Sequence, residues 1–144
     1  MKMMQKIEKL ISGELPAPPV SELVGFKLVS AKNGEATVEL QADKRHWNPM
    51  GTLHGGILCD IADAAMGIAY ASLLDDDESF TTLELKINFI KPVWNANLRA
   101  MGQVIKKGKT VGLVECSVFD DKDQLIARAS STCLTLRGEQ AQGR

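Results

Sequence analysis

The sequence predicts an α+β domain in which one antiparallel sheet of five to six strands curls round a single long helix. Three observations lead there. Residues 57–74 (ILCDIADAAMGIAYASLL) are apolar almost all the way round a helix, and a helix without a polar face belongs in an interior. Strand-like runs flank it on both sides, mostly in hairpin connection. A sheet curled round the helix hides it without a second layer of helices.

In chain order, Met3, Ile7, Leu10 and Ile11 fall at helical spacing and predict a short amphipathic helix over 2–12, ended by Gly13. Pro16–Pro19 reads as an extended link, and residues 21–24 as one helical turn before Gly25. Two strands follow, Phe26–Ala31 and Ala36–Gln41, and the Asn33-Gly34 between them is a strong hairpin signal. Residues 43–53 (DKRHWNPMGTL) form a loop that delivers the chain to the long helix. The acidic run Asp75–Glu78 reads as a solvated turn with no binding role, because negative charge at a helix C-terminus is slightly unfavourable.

Between Phe80 and Lys91 the alternation puts Leu83, Leu85, Ile87 and Phe89 on one face. Thr82, Glu84, Lys86 and Asn88 take the other. Three more strands are expected at 98–106, 111–119 and 125–136, which makes five of the six substantial. The domain organisation is then a helix and linker over 1–20, the main domain over 21–137 and a polar tail over 138–144.

Composition narrows the function classes. A chain of 144 residues is long enough to bury a core without disulfides or metals. The net charge of −1, with no block of Lys or Arg, argues against nucleic-acid capture. No run approaches the roughly 20 apolar residues of a membrane helix. The first fifteen residues carry Lys6, Glu8 and Lys9 where a signal peptide would be apolar. Cys59, Cys116 and Cys133 are an odd count without metal-ligand spacing, as expected of reduced thiols in a cytoplasmic protein. His46 and His54 are the only histidines and form no metal-site pattern, so no metal is expected.

Two carboxylates on the apolar helix need a reason, since burying an unpaired carboxylate is costly. Gly67, four residues past Asp63, leaves the surface over that carboxylate open; Asp60 is a neighbour that either raises its pKa or bonds nearby backbone. At the start of the helix, Gly55 and Gly56 remove side-chain bulk where unpaired amides face outward. A carbonyl or oxyanion can approach there, as acyl transfer requires; the same glycines also suit a plain turn with His54 at the cap. Asp63 lies seven residues beyond Gly56, about 10 Å along a helix. The two cannot readily serve one carbonyl from the same chain, and their cooperation calls for a symmetric dimer with two shared sites.

Asn48-Pro49-Met50-Gly51-Thr52-Leu53-His54-Gly55-Gly56, with an acid nine residues after His54, resembles the hot-dog-fold thioesterases of the phenylacetate-degradation type. The TLELKINFIKPV run and the KKGKT hairpin are similar to that family too, and the likeness covers roughly residues 22–136. The resemblance implies a homodimer, itself paired into a homotetramer, that hydrolyses an acyl-CoA without a further cofactor.

It also implies roles for the individual residues. The Gly56 amide polarises the thioester carbonyl, Gly55 and His54 shape the turn, and Asn48 positions the carbonyl or the water. Asp63 of the facing subunit acts as general base or nucleophile, and Thr82 supports the water unless Thr81 or a bulge intervenes. Lys106, Lys107 and Lys109 either meet CoA phosphates or are solvated charge. Trp47 either walls the acyl pocket or anchors packing, and Trp94 is read as packing. Two rival readings share the fold. One is a hydratase or dehydratase, disfavoured because His54 follows Asn48-Pro49 only after four intervening residues; the other is a non-catalytic acyl-CoA binder.

Overall fold

The computed structural model describes residues 1–144, and its central feature is the helix α3, Gly55–Ala71, laid across a six-stranded antiparallel sheet. Before it come α1 (Met3–Ser12), α2 (Pro19–Val24), β1 (Phe26–Lys32) and β2 (Glu35–Ala42). After it come β3 (Ser79–Phe89), β4 (Ala96–Lys107), β5 (Val111–Phe119) and β6 (Leu125–Leu136), then a short 3-10 turn at Gly138–Ala141. The strand order β1-β2-β4-β5-β6-β3 leaves β1 and β3 at the edges. This is the hot-dog architecture, α+β as the sequence predicts. No helix is long and apolar enough to cross a membrane.

Local chemistry explains the boundaries. Gly13 and Gly25 end α1 and α2 in the left-handed region, at φ +81° and +97°. Asn33 and Gly34, both with positive φ, make the hairpin turn between β1 and β2. The core forms where α3 meets the concave face of the sheet, with Ile61, Ala65, Met66 and Ala69 fully buried against Val38, Leu98, Ala100, Val114 and Val118. Close approach is possible because β4 offers no side chain under the helix at Gly102. A Cβ there would stand 2.6 Å from the Ala65 carbonyl oxygen.

Four expectations need correction. All six strands are substantial, β1 being the shortest at seven residues. The helix starts at Gly55 and ends at Ala71, a shift toward the glycines, because His54 caps its first turn. The acidic run is not uniformly solvated. Glu78 is buried and accepts from the Asp75 amide (3.0 Å) and Arg137 Nε (2.9 Å), with Lys107 Nζ 3.7 Å away. Burial pushes the Glu78 carboxyl up, but those donors and cations outweigh it and hold it below the usual range.

The alternation along β3 also breaks. Thr82 pairs with Cys133 and Glu84 with Thr132, which leaves Leu83 as the extra residue of a bulge. Before the bulge Phe80 and Thr82 face α3; after it Leu85 and Ile87 pack on the core, while Leu83 turns outward and is exposed.

Candidate active site

The site is built where β3 runs antiparallel beside one stripe of α3. Phe80 lies against Gly67, Thr82 stands beside Asp63, and the Phe89 ring occupies the place a Cβ on Gly55 would take. This stripe is the part of the helix that the sheet does not cover: Cys59 and Asp60 are half-buried and Asp63 is exposed. The apolar helix is therefore interior on most of its circumference, and its two carboxylates sit on the open side.

Asp63 and Thr82 lie on the divide between two cavities. On one side is an apolar cavity of about 520 Å³ beneath α1 and α2, floored by Ala64, Gly67 and Ile68. On the other is an open groove that holds Cys59, Asp60, Leu83 and Glu84. Although Asp63 is exposed as a whole residue, the packing of α3 and β3 around its carboxyl removes enough water to push it above its ordinary range. The Asp60 charge adds to this, and the Thr82 hydroxyl pulls the other way. Burial also raises Asp60, with His54 opposing. The Cys59 thiol is raised by burial and by both carboxylates, so the thiolate is disfavoured there. Thr82 also lies 3.9 Å from Cys133 Sγ. The bulge after Thr82 thus leaves that residue, with Phe80, on the side of the strand that faces the helix.

At the helix start, His54 is the N-cap, and its Nδ1 accepts the Gly56 amide at 2.8 Å. The Gly56 amide expected to meet a carbonyl is therefore engaged, while Gly55 contributes the first amide of the helix, which lies ahead of the intrahelical ladder. Asn48 organises the preceding loop: its Oδ1 accepts from Met50 and Thr52 amides (2.9 and 3.1 Å), and its Nδ2 donates to Thr52 Oγ1 (2.9 Å). One Nδ2 hydrogen remains for another acceptor.

The remaining candidates are placed elsewhere within the chain. Trp47 donates through Nε1 to the Trp94 carbonyl (3.0 Å), tying the pre-helix loop to the segment after β3, and it lines neither cavity that holds Asp63. Lys107 sits at Glu78, and the Lys109 carbonyl accepts from Arg137 Nη2 (2.6 Å); both lie toward the C-terminal end of α3. His46 is a satisfied interior histidine, with Nε2 2.7 Å from the Val24 carbonyl and Nδ1 accepting the Asp43 amide. No group of three or more His, Cys, Asp or Glu converges as a metal site would require. Sequence reading missed the apolar cavity under α1, because its walls come from segments far apart in the chain.

The sequence pattern of the thioesterase superfamily matches residues 50–127, a span that includes His54, Gly55, Gly56, Asp63 and Thr82. A 1,4-dihydroxy-2-naphthoyl-CoA hydrolase of Listeria monocytogenes is 27% identical, over 78% of this chain and 92% of its own. Among solved structures, a conserved protein of Pseudomonas aeruginosa superposes with a TM-score of 0.79 at 35% identity, covering 83% of this chain and 95% of the other. A phenylacetic acid degradation-related protein of Ralstonia eutropha gives 0.80 at 26% identity, covering 88% and 97%.

Proposed function

Since this chain belongs to the thioesterase superfamily, we propose that it hydrolyses an acyl-CoA thioester to the free acid and CoA, with Asp63 as the general base. The observation that carries this reading is the pairing of Asp63 with Thr82 between an apolar cavity and an open groove. That arrangement gives the acyl group an apolar place and the water a base. A raised carboxyl pKa strengthens Asp63 as a proton acceptor toward water.

The reaction then runs as follows. The thioester carbonyl accepts a hydrogen bond at the start of α3, from Gly55 directly or from Gly56 once His54 turns away. The second Nδ2 hydrogen of Asn48 helps to orient the carbonyl or the water. Water held by Thr82 and Asp63 gives its proton to Asp63 as its oxygen attacks the carbonyl carbon. The tetrahedral oxyanion is stabilised by the amides and the positive end of the helix. The C–S bond breaks with its electron pair on sulfur, and the thiolate leaves without a strong general acid.

Along α3, Asp63 and the Gly55–Gly56 amides stand about 10 Å apart, so each site takes its amides from one chain and Asp63 from another. The dimer this requires forms through β3. Its outer edge is an unpaired strand of eleven residues that carries exposed Leu83 and Phe89, and long apolar edges call for cover.

A panel of acyl-CoA thioesters, assayed with the native protein and with Asp63→Asn, tests the proposal. Turnover by the native protein, with a loss of at least about a hundredfold in kcat in the variant, is the expected result. Tight binding of CoA esters without hydrolysis would make the protein an acyl-CoA binder, and hydration of an enoyl thioester would make it a hydratase. Equal activity in Asp63→Asn would overturn the assignment of the base.

A further inference from the structure

The cavity beside Asp63 is bordered on its far side by a part of the chain outside the superfamily match. Leu10 and Ile11 at the end of α1, Ala17 and Pro18 of the linker, and Val20 of α2 line it, opposite Ala64 and Ile68 of α3. This roof is fixed. Ile7 of α1 is 1% exposed in the core, with Met3 and Met4 packed against it. The chain leaves α1 through Gly13, whose amide donates to the Leu10 carbonyl, and the Leu15 amide returns to the Lys9 carbonyl (3.1 Å).

Inside the cavity almost nothing can satisfy a polar substituent. The Ser21 hydroxyl is buried and already donates to the Pro18 carbonyl (2.8 Å), and Lys27 is an exposed residue at the rim. Asp63 and Thr82 supply the remaining polar atoms, and they stand at the opposite end, where the carbonyl carbon must be.

We infer that this cavity takes the acyl chain of the substrate, and that Leu10, Ile11 and Val20 set the chain-length limit for an apolar acyl group without hydroxyl or carboxyl substituents. The inference rests on the thioesterase reading of Asp63. The reacting carbonyl lies at the Asp63–Thr82 divide, the acyl tail runs over Ala64, Gly67 and Ile68 toward α1, and the CoA side leaves through the open groove. A volume of about 520 Å³ is in the range of small-molecule sites. An acyl hydroxyl placed there would exchange its water for no more than the acceptor lone pairs of Ser21, and an acyl carboxylate would find no free donor except Lys27 at the rim. The preferred substrates therefore differ in class from the dihydroxylated aroyl thioester in the Listeria relative's name.

The test compares kcat/KM over butyryl- to tetradecanoyl-CoA, with benzoyl- and dihydroxybenzoyl-CoA added, for the native protein, Leu10→Trp and Leu10→Ala. The expected result is an optimum among the unsubstituted chains and at least about a tenfold penalty for the dihydroxylated aroyl group. Leu10→Trp should move the optimum to shorter chains and Leu10→Ala to longer ones, two opposite shifts that a general folding defect would not produce. Uniform loss at every chain length, or a preference for the dihydroxylated substrate, would overturn the inference.

Binding of non-hydrolysable S-alkyl-CoA thioethers, measured by calorimetry, separates this result from the fate of the catalytic reading. Affinity that rises with chain length and shifts in the Leu10 variants supports the acyl cavity even if no thioester is hydrolysed. Affinity indifferent to chain length overturns it even if hydrolysis is seen.

Discussion

Replacing Asp63 by Asn keeps the side chain's shape and removes its charge, so pH can report on the residue twice. Only the ionised carboxylate can take a proton from water, and burial together with Asp60 holds its pKa above the ordinary range. The acid limb of native kcat against pH should therefore lie above the range of an unperturbed Asp. For stability, the folded chain holds this proton more tightly than the unfolded chain does. The contribution of Asp63 is thus fully favourable below the unfolded pKa and is lost as pH rises through the folded one. Urea melts of Asp63→Asn should match the native protein in acid and show a slightly more stable protein near neutrality. At position 55 the backbone accepts proline, since the first helical position tolerates it and His54 before it is extended at φ −66°, ψ 131°. A Cβ there stands 2.7 Å from the Phe89 ring, however, so Gly55→Ala, which adds the same Cβ and keeps the amide, is the reference for the loss of the amide hydrogen. Against that reference, Gly55→Pro should lower kcat by about a hundredfold or more if its amide holds the oxyanion. Unchanged kcat would assign that role to Gly56.

Among the elements, α3 is seated on β4 backbone to backbone. A methyl on Gly102 would meet the Ala65 carbonyl, and neither backbone can yield without moving a whole element. Gly102→Ala should cost about 1–3 kcal/mol in denaturant unfolding, the usual range for an overpacked core. The helix itself was legible in the chain, since an apolar circumference and two glycines at the start gave its place. The Asn33-Gly34 hairpin was legible for the same reason, a local rule with a local cause. Gly67, read as leaving the surface over Asp63 open, is instead buried against the Phe80 ring.

What stayed hidden depends on distant partners. Glu78 looked solvated because its main partner, Arg137, lies 59 residues away. The bulge at Leu83 is set by pairing with β6, and no composition rule marks one residue as surplus to a ladder. The His54–Gly56 bond was hidden differently, since a His-Gly-Gly turn serves a cap and an anion site equally well.

At the scale of the whole molecule, the β3 edge and the site are one question. Leu83 is turned outward by the same bulge that leaves Thr82 facing inward, so one irregularity shapes both the edge and the site. Lysine at position 83 places a charge on that edge; because Leu83 also lines the groove beside Asp63, the oligomeric state is the readout that bears on the interface. Leu83→Lys should shift the protein from dimer to monomer in sedimentation analysis and lower kcat/KM together with the dimer population. A fully dimeric Leu83→Lys protein would place the interface elsewhere.

The separation of Asp63 from the start of its own helix also has a genetic reading. If every site joins one chain's amides to the other's carboxylate, two inactive alleles can rescue each other. Asp63→Asn and Gly55→Pro proteins, each inactive alone, should regain about a quarter of native activity when unfolded and refolded together in equal amounts. Half of the resulting dimers would be mixed, and each of those would hold one intact site. A self-contained site would give no such recovery, so the distance along one helix decides whether this activity behaves as the property of a chain or of a pair.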